Sequence, residues 1–462
     1  MKKELNIQHS TLKTENSAFN TQNSKLPKGW VWAKIGEIAS YINGKAFKPS
    51  EWEKHGKPII RIQNLTGSSN KVNYYSKPVE EDYIVKDGDL LISWSATLGV
   101  FIYRGEDAVL NQHIFKVQPY IDKKFLYFLV SAFIDELKRK VHGTGMQHIT
   151  KSKFEESQIP LPPLPEQHRI VAKIEELFTK LDAGVEALKK AKEQIKRYRQ
   201  AVLKYAFEGK LTEEWRKSFE LLMLNDELKE TQNPQLNIQN SKLPKGWVWG
   251  RLGEICEKLF AGGDVPKINF SKTKTSDFKI PIYTNGEKDK GLYGYTNMVK
   301  VNEPALTISG RGTIGYCEIR NEPFYPAVRL IVVIPDEKIV GLKYLKYTFD
   351  NRRLFFSGSS IPQLTVPMIS EIPIPLPPLA EQQQIVEEIE RRFSMADEVE
   401  KAIDRSLKEA ERLRQSILKM AFEGKLVPQD PNDEPAEKLL ERIRDEKIKR
   451  ESEKKVKKKG GK

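Results

Sequence analysis

The sequence predicts an α+β protein built as a tandem repeat. Two mixed, strand-rich domains are each followed by a long helix, and the two helices pair with each other in an intramolecular coiled coil. Three observations carry this expectation. A set of motifs occurs twice at a nearly constant offset, a long apolar stripe without proline closes each copy, and short β-type runs fill the space between the motifs.

The repeat comes first, because it decides how everything else is divided. Asn23 to Trp32 reads NSKLPKGWVW and returns from Asn240 to Trp249, an offset of 217. Leu161 to Gln167 reads LPPLPEQ and returns as LPPLAEQ from Leu376 to Gln382, an offset of 215. Phe207 to Leu211 reads FEGKL and returns from Phe422 to Leu426 at the same offset of 215. Three pairs in one order at almost one spacing mark a duplicated unit. Between the motifs, residues 40–140 and 257–350 share little, so each copy is a constant frame around a variable domain. The division that follows is a polar extension (1–22), a first variable domain (23–160), a long helix with a short one after it (161–235), a second variable domain (236–375), a second long helix with its follower (376–445) and a basic tail (446–462).

The long helices follow from periodicity. Proline disfavours helix in the residue before it, so the first helix is expected to begin at Glu166 and to run to the capping Gly209, 44 residues or about 66 Å. Ile170, Ile174, Leu177, Leu181, Leu188, Ile195, Tyr198, Val202 and Tyr205 fall on a heptad seam. In the second copy the seam is Ile385, Ile389, Ala396, Val399, Ile403, Ala410, Leu413, Ile417 and Met420, ending at Gly424. Gly184 and Arg392 interrupt the pattern. A stripe of this length needs a partner, and the nearest one is its own repeat. Shorter helices are expected over Trp215–Leu228 and Ala436–Glu453.

In the variable domains, PIIRI from Pro58 and DLLIS from Asp89 read as strands of a small curved sheet, and Phe125 to Val141 reads as a helix. The second domain offers KIPIY from Lys279, ALTIS from Ala305 and Val328 to Ile334, then a helix from Leu342 to Asp350.

Composition limits function. The 462 residues carry a net charge of +14, which favours an acidic partner, and the tail from Glu446 to Lys462 alone holds nine Lys/Arg against three Glu. Two cysteines, Cys256 and Cys317, exclude a disulfide scaffold and a Cys-rich zinc module. No apolar stretch is long enough for a membrane span, and no secretory signal is read at the start, so a soluble, cytoplasmic protein is expected. There is no phosphate-binding GxxxxGK[ST] and no dinucleotide-binding GxGxxG after a strand. The histidines show no metal-ligand spacing. Asp122-Lys-Lys124 and Asp277-Phe-Lys279 match the Asp-x-Lys of some nucleases, a triplet common in any chain this charged.

LPKGWVW opening a variable domain, then PLPPLPEQHRIV leading into a long helix that ends FEGKL, with PLPPLAEQQQIV and FEGKL repeating the set, resembles the DNA-sequence specificity subunit of type I restriction-modification enzymes. The likeness covers nearly the whole chain outside the polar extension and the basic tail. It implies that each variable region is a target recognition domain reading one half of a bipartite double-stranded DNA site. It also implies an antiparallel coiled coil with pseudo-twofold symmetry that sets the spacing, and docking of two methylation and two restriction subunits. S-adenosylmethionine, ATP and Mg then belong to those partners, and this chain carries no cofactor, metal or catalytic residue of its own. Two other classes stay open at this stage: a protein-binding coiled-coil adaptor, and a nuclease with a hidden site.

Direct readout needs Arg, Lys, Asn or Gln at base edges, with hydroxyls and amides on phosphates. In the first domain the candidates are Lys45, Lys48, Arg61, Gln63, Asn64, Trp94, Thr97, Gln112, His113, Thr144, Gln147 and His148. In the second they are Tyr283, Thr284, Asn285, Tyr293, Tyr295, Arg311, Thr313, Arg329, Ser359 and Gln363. The similar strand ends Ser93–Gly99 and Ser309–Gly315 place Trp94, Thr97, Arg311 and Thr313.

Overall fold

The computed structural model describes residues 25–94, 98–141, 151–223, 243–357 and 363–459. The first repeat runs β1 (Val31–Lys34), α1 (Ile35–Ile38), β2 (Ala39–Asn43), β3 (Lys57–Ile60), α2 (Ile62–Leu65), β4 (Asn73–Tyr75), β5 (Ile84–Val85), β6 (Leu90–Ser93), β7 (Gly99–Ile102), β8 (Ala108–Leu110), β9 (Ile114–Pro119), α3 (Lys123–Val141), α4 (Lys151–Glu155), β10 (Gln158–Leu161), the long helix α5 (Leu164–Phe207) and α6 (Glu213–Met223). The second runs β11 (Val248–Arg251), β12 (Cys256–Ala261), β13 (Ile280–Tyr283), β14 (Leu292–Thr296), β15 (Ala305–Ile308), β16 (Cys317–Arg320), β17 (Tyr325–Pro326), β18 (Ile331–Pro335), α7 (Leu342–Ser357), α8 (Val366–Ser370), β19 (Pro373–Leu376), the long helix α9 (Leu379–Phe422) and α10 (Ala436–Lys459). The chain divides into two compact units, Met1–Ala187 with Ser406–Lys462, and Leu188–Arg405. The boundary cuts both long helices, so the units are not the repeats.

In the first unit β2-β9-β6-β7 form one sheet and β4-β3-β8-β5 a second, with β3 and β8 parallel. In the second unit β12-β18-β15-β16 repeats the first sheet strand for strand, and β14-β13-β17 repeats the second without a counterpart of β5, again with one parallel pair, β13 and β17. The two variable domains therefore share a topology that their sequences do not display. The central strands explain their unbroken apolar runs, since both faces are buried. In β6, Leu90 and Ile92 face one core and Leu91 the other. In β18, Ile331 and Val333 face one core, Val332 and Ile334 the other.

The duplicated motifs meet as a frame. The WVW strand β1 pairs antiparallel with the PL strand β10 (Val31 opposite Leu161), and β11 pairs with β19 in the same register (Val248 opposite Leu376). The Trp30 indole N–H donates to Glu166 Oε2 at 2.9 Å, and Trp247 to Glu381 Oε2 at 2.9 Å. The following glutamines hold the proline turns: Gln167 Nε2 donates to the Pro162 carbonyl at 2.9 Å and Gln382 Nε2 to that of Pro377 at 3.0 Å. Gly209 and Gly424 end their helices in left-handed backbone at φ +70° and +68°. A Cβ there would strike Pro244 or Pro27, the LPKGW proline of the same unit. Each unit thus takes its opening motif from one repeat and its helix-ending FEG from the other.

Both long helices have 44 residues. The first starts earlier than the proline argument places it: α5 begins at Leu164, with Pro165 in its first turn, where a missing N–H leaves no hydrogen bond unmade. The helices pair antiparallel within each unit. In the first, Ile170 and Ile174 share a core with Ile417, Leu418 and Phe422, and Arg414 pairs with Asp182 and lies 4.2 Å over the Phe178 ring. In the second, Lys192 meets Asp404 at 2.7 Å, Arg199 meets Asp397 at 2.5 Å, and Val202 shares a core with Ile385 and Ile389. Leu177, Leu181, Leu188 and Ile195 are half-buried and Ile403 is buried.

Tyr198, Val399 and Leu413, expected on the seam, are 42%, 52% and 45% exposed, and Tyr205 is exposed as well. Among the shielded positions of α5 one row runs 170, 174, 178, 181, 185, 188, 192, 195, 199, 202 and 206, ten steps from 170 to 206, with 177 and 191 of the heptad row shielded beside it. A matching row among those of α9 runs 385, 389, 392, 396, 400, 403, 407, 410, 414, 417 and 421, the same interval. That row has the period of an ordinary helix, about 3.6 residues, and a heptad count drifts from it by ~20° per heptad. The drift replaces the three expected apolar contacts with charged ones: Arg199, Glu400 and Arg414.

Candidate nucleic-acid interface

In each variable domain the ends of several strands converge on one rim. In the first, Asn43 ends β2, Ile60 ends β3, Ser93 ends β6, Leu110 ends β8, and β9 starts at Ile114. Gly44 turns so close to Asn111 that a Cβ would strike its carbonyl. This approach lets Lys45 bridge to Asn111, and the Asn111 N–H then donates to the Ile60 carbonyl at 3.2 Å. The rim thereby gathers Lys45, Arg61, Trp94, Gln112 and His113.

Their surroundings separate readers from supports. Trp94 stacks on Phe115 (5.8 Å, 22°) and donates its indole N–H to Asn43 Oδ1 at 3.2 Å. Gln112 Nε2 lies 3.3 Å from His113 Nε2, while His113 Nδ1 and Arg61 Nε are buried atoms with no hydrogen-bond partner among the described residues. Such atoms are uncommon in folded proteins and call for a role. The Arg61 guanidinium lies 5.1 Å over the Trp52 ring. Lys45 is turned inward, donating to the Tyr75 hydroxyl at 3.2 Å. Asn64 is occupied in shaping its own turn, accepting from the Arg61 N–H at 3.1 Å and donating to the Lys71 carbonyl at 3.0 Å. Gln63 is half-buried in α2, and Lys48 is exposed, its N–H held by Glu51 at 2.8 Å. Thr97, Thr144, Gln147 and His148 lie outside the described residues, as does Ser359 in the second domain.

The second rim has the same construction. Gly262 takes the place of Gly44 against the Pro326 carbonyl, and Gly263 bridges to Ala327. The Ala327 N–H donates to the Tyr283 carbonyl at 2.9 Å. Asn285 ties three segments together: its Oδ1 accepts from the Gly310 N–H at 2.8 Å and its Nδ2 donates to the Val328 carbonyl at 2.6 Å. Ser309 Oγ accepts from the Gly286 N–H at 3.1 Å, and Thr284 lies in the same turn, its N–H donating to the Gly291 carbonyl at 2.8 Å. Arg311 is exposed and donates through Nε and Nη2 to Gln363 Oε1 at 3.0 and 2.8 Å. Thr313 is half-buried, and Arg329 is exposed.

Two second-domain candidates are not at this rim surface. The Tyr283 ring is buried beneath the Arg320 guanidinium (3.6 Å), and its hydroxyl donates to Glu322 at 2.9 Å. Burial first, then this bond, pushes its hydroxyl up to about 12. Tyr283 is a core residue that ends a strand, which is why the sequence mistook it for a reader. Tyr295 pairs opposite Pro281, towards the far end of β13. Tyr293, 40% exposed, lies between, with Lys272 Nζ 3.7 Å from its ring centre.

The sequence reading passed over Asn43, Asn111 and Val328. Their signal was available in the paired Gly44 and Gly262, which place LNQHI and PAVRL in equivalent turns. The first nuclease-like triplet has structural uses: Asp122 Oδ1 accepts from the Phe125 N–H at 2.7 Å at the start of α3, and Lys124 pairs with Glu175 at 2.7 Å. Among the described residues no group of His, Cys, Asp and Glu could hold a metal ion, and no helix is long and apolar enough to cross a membrane.

The sequence model described as "Type I restriction modification DNA specificity domain" matches twice, over residues 27–197 and 244–409. Over 450 residues the chain is 27% identical to the EcoBI type I restriction enzyme specificity subunit of Escherichia coli, covering 90% of this chain and 92% of that protein. In fold it matches a chain from a structure of type I R-M system assembly and conformational transition, with a TM-score of 0.67 at 20% identity, covering 87% of this chain and 100% of the other. The HsdS subunit from Thermoanaerobacter tengcongensis matches with a TM-score of 0.53 at 21% identity, over 87% of this chain and 98% of that one. The chain belongs to the type I restriction modification DNA specificity domain family, with two copies of the domain in tandem.

Proposed function

We propose that this chain is the DNA-sequence specificity subunit of a type I restriction-modification complex. Each variable domain reads one half of a bipartite site on double-stranded DNA, and the paired helices set the spacing between the halves. At about 66 Å, a 44-residue helix matches roughly two turns of duplex at 3.4 Å per base pair. The observation that carries the reading is the pair of rims. One topology is built twice on one frame, and each presents different side chains at equivalent places, Gln112-His113 in one and Val328-Arg329 in the other. Like scaffolds with dissimilar rims fit a reader of two dissimilar half-sites, with Arg61, Trp94, Gln112 and His113 at the first and Arg311 and Arg329 at the second.

Catalysis in this reading resides elsewhere. Two methylation and two restriction subunits use the chain as their scaffold and bring S-adenosylmethionine, ATP and Mg with them. The boundaries 23–160 and 236–375 delimit the two target recognition domains. Exchanging residues 40–140 for another such domain is expected to change one half-site and leave the other intact when methylated adenines are mapped. A change in both halves would refute the modular reading. Failure of the assembled complex to shift any duplex from a random pool would favour the protein-binding adaptor.

A further inference from the structure

Val328 and Arg329 stand in left-handed backbone, at φ +53° and +58°. L-residues visit this region as isolated cases, chiefly Asn and Asp, and a β-branched side chain there is a genuine outlier. Such a conformation persists only where its surroundings over-determine it, and it collects at functional positions. Here the surroundings are explicit. The Val328 N–H donates to the Gly263 carbonyl at 2.7 Å, the Arg329 N–H to that of Gly262 at 3.1 Å, and the Val328 carbonyl accepts from Asn285 Nδ2 at 2.6 Å. The amide orientation of Asn285 is fixed by its two partners. A flip would set oxygen against the Val328 carbonyl and N–H against the Gly310 N–H.

This fixed turn does not bury its side chains. Val328 is 43% exposed, Arg329 is exposed, and Arg329 has no ion pair among the described residues. An apolar side chain held outward on a strained, clamped turn gains nothing for the fold. It gains when an apolar group meets it. On a duplex, the apolar group exposed at a base edge is the C5-methyl of thymine. The equivalent place in the first domain holds Gln112, an amide suited to hydrogen bonding, so the two rims would differ in chemistry at the same point.

We propose that Val328–Arg329 is a pre-set reading head of the second domain, in which Val328 is a specificity-determining contact to a thymine methyl and Asn285 is its positioning residue, not a base contact. The proposal rests on the DNA-reading function above and goes further, to one side chain and one base.

The test uses the full-length chain in complex with its methylation partner. A randomised duplex pool first gives the target, and each thymine of the second half-site is then replaced by deoxyuridine, which removes only the methyl. One such replacement is expected to weaken wild-type binding about fourfold, the effect of one buried methyl group. Val328→Ala should bind the thymine and deoxyuridine duplexes equally while keeping the first half-site. Asn285→Ala and Asn285→Asp should relax the positions read by Val328 and Arg329 alone. Asp keeps the acceptor for Gly310 but loses the donor to Val328. The positions of the second half-site not read by Val328 or Arg329 stay specified in every variant and report a folded second domain. An unchanged thymine-to-deoxyuridine ratio in Val328→Ala would refute the methyl contact, and an unchanged second half-site in both Asn285 variants would refute the positioning role. Wild-type enrichment of no sequence at all would instead refute the DNA-reading function on which both rest.

Discussion

Replacing Glu381 by Gln tests how the frame is held together. The carboxylate is buried, its side chain 2% exposed, and it accepts four hydrogen bonds. Trp247 Nε1 donates at 2.9 Å, Thr212 Oγ1 at 2.7 Å, and Arg216 Nε and Nη2 at 3.0 and 2.7 Å. Every partner is a donor. A glutamine keeps one oxygen and turns an NH₂ group towards either the indole or the guanidinium, where nothing can accept it. It also strips Arg216, 15% exposed, of its counter-ion. Breaking a buried ion pair from one side costs about 3–5 kcal/mol. For a unit the size of Leu188–Arg405, each kcal/mol moves the midpoint by about 2–4 °C, so a shift on the order of 10 °C is expected. Differential scanning calorimetry of the full chain reads this directly. Arg216→Ala together with Glu381→Gln should cost less than the sum of the two single changes, because the charge left unpaired is gone. The matching Glu166→Gln removes no comparable cation: Glu166 takes its bonds from Trp30 at 2.9 Å and Gln429 at 3.2 Å, and its cost is expected below about 1 kcal/mol at neutral pH. Equal effects of the two substitutions would refute the reasoning, because the sequence motif is the same and Glu381 alone of the two carries the Arg216 counter-ion.

Burial holds the Glu166 carboxyl above its ordinary range, against the lowering effect of Gln429, Trp30 and Arg169. The folded chain therefore holds this proton more tightly than the unfolded one, and this group's contribution to stability falls as pH rises from about 4.5 through the raised value. Urea midpoints measured across that window should show Glu166→Gln lacking this component, and parallel curves for the two proteins would contradict it. The stripe of ordinary helical period separates seam positions: Val399→Ala and Leu413→Ala should each cost under about 0.5 kcal/mol, whereas Ile403→Ala, buried at 6% exposure, should cost about 2–5 kcal/mol in chemical denaturation. Gly262→Ala drives a Cβ into the Pro326 carbonyl and should destabilise the second unit by about 1–3 kcal/mol, read as a lower midpoint.

The sequence alone determined what depends on near neighbours along the chain. The duplication is visible as repeated words, the helix ends as glycines after a proline-free run, and the helix length as the interval between them. The frame was legible as repeated words, but that WVW and PLPPL pair as β1–β10 and β11–β19 appears only in the structure. The phase of the helix stripe was not legible. The supercoil period and the ordinary helical one agree over a turn or two and part by ~80° after the four heptads that separate Ile170 from Tyr198 and Ile385 from Leu413.

Tertiary structure alone decided three further things, each for a physical reason. Which halves of the two helices share a core is set by burial between segments from different repeats, far apart in the chain, and no local pattern records it. The common topology of the variable domains survives their different sequences because apolar cores tolerate many fillings once alternation and turns are kept. The character of the rim is decided by what lies across it. Arg320 and Glu322 turn Tyr283 from a surface aromatic into a core residue, and Asn285 with Gly262 and Gly263 turns an ordinary Val-Arg pair into a strained, outward-facing head.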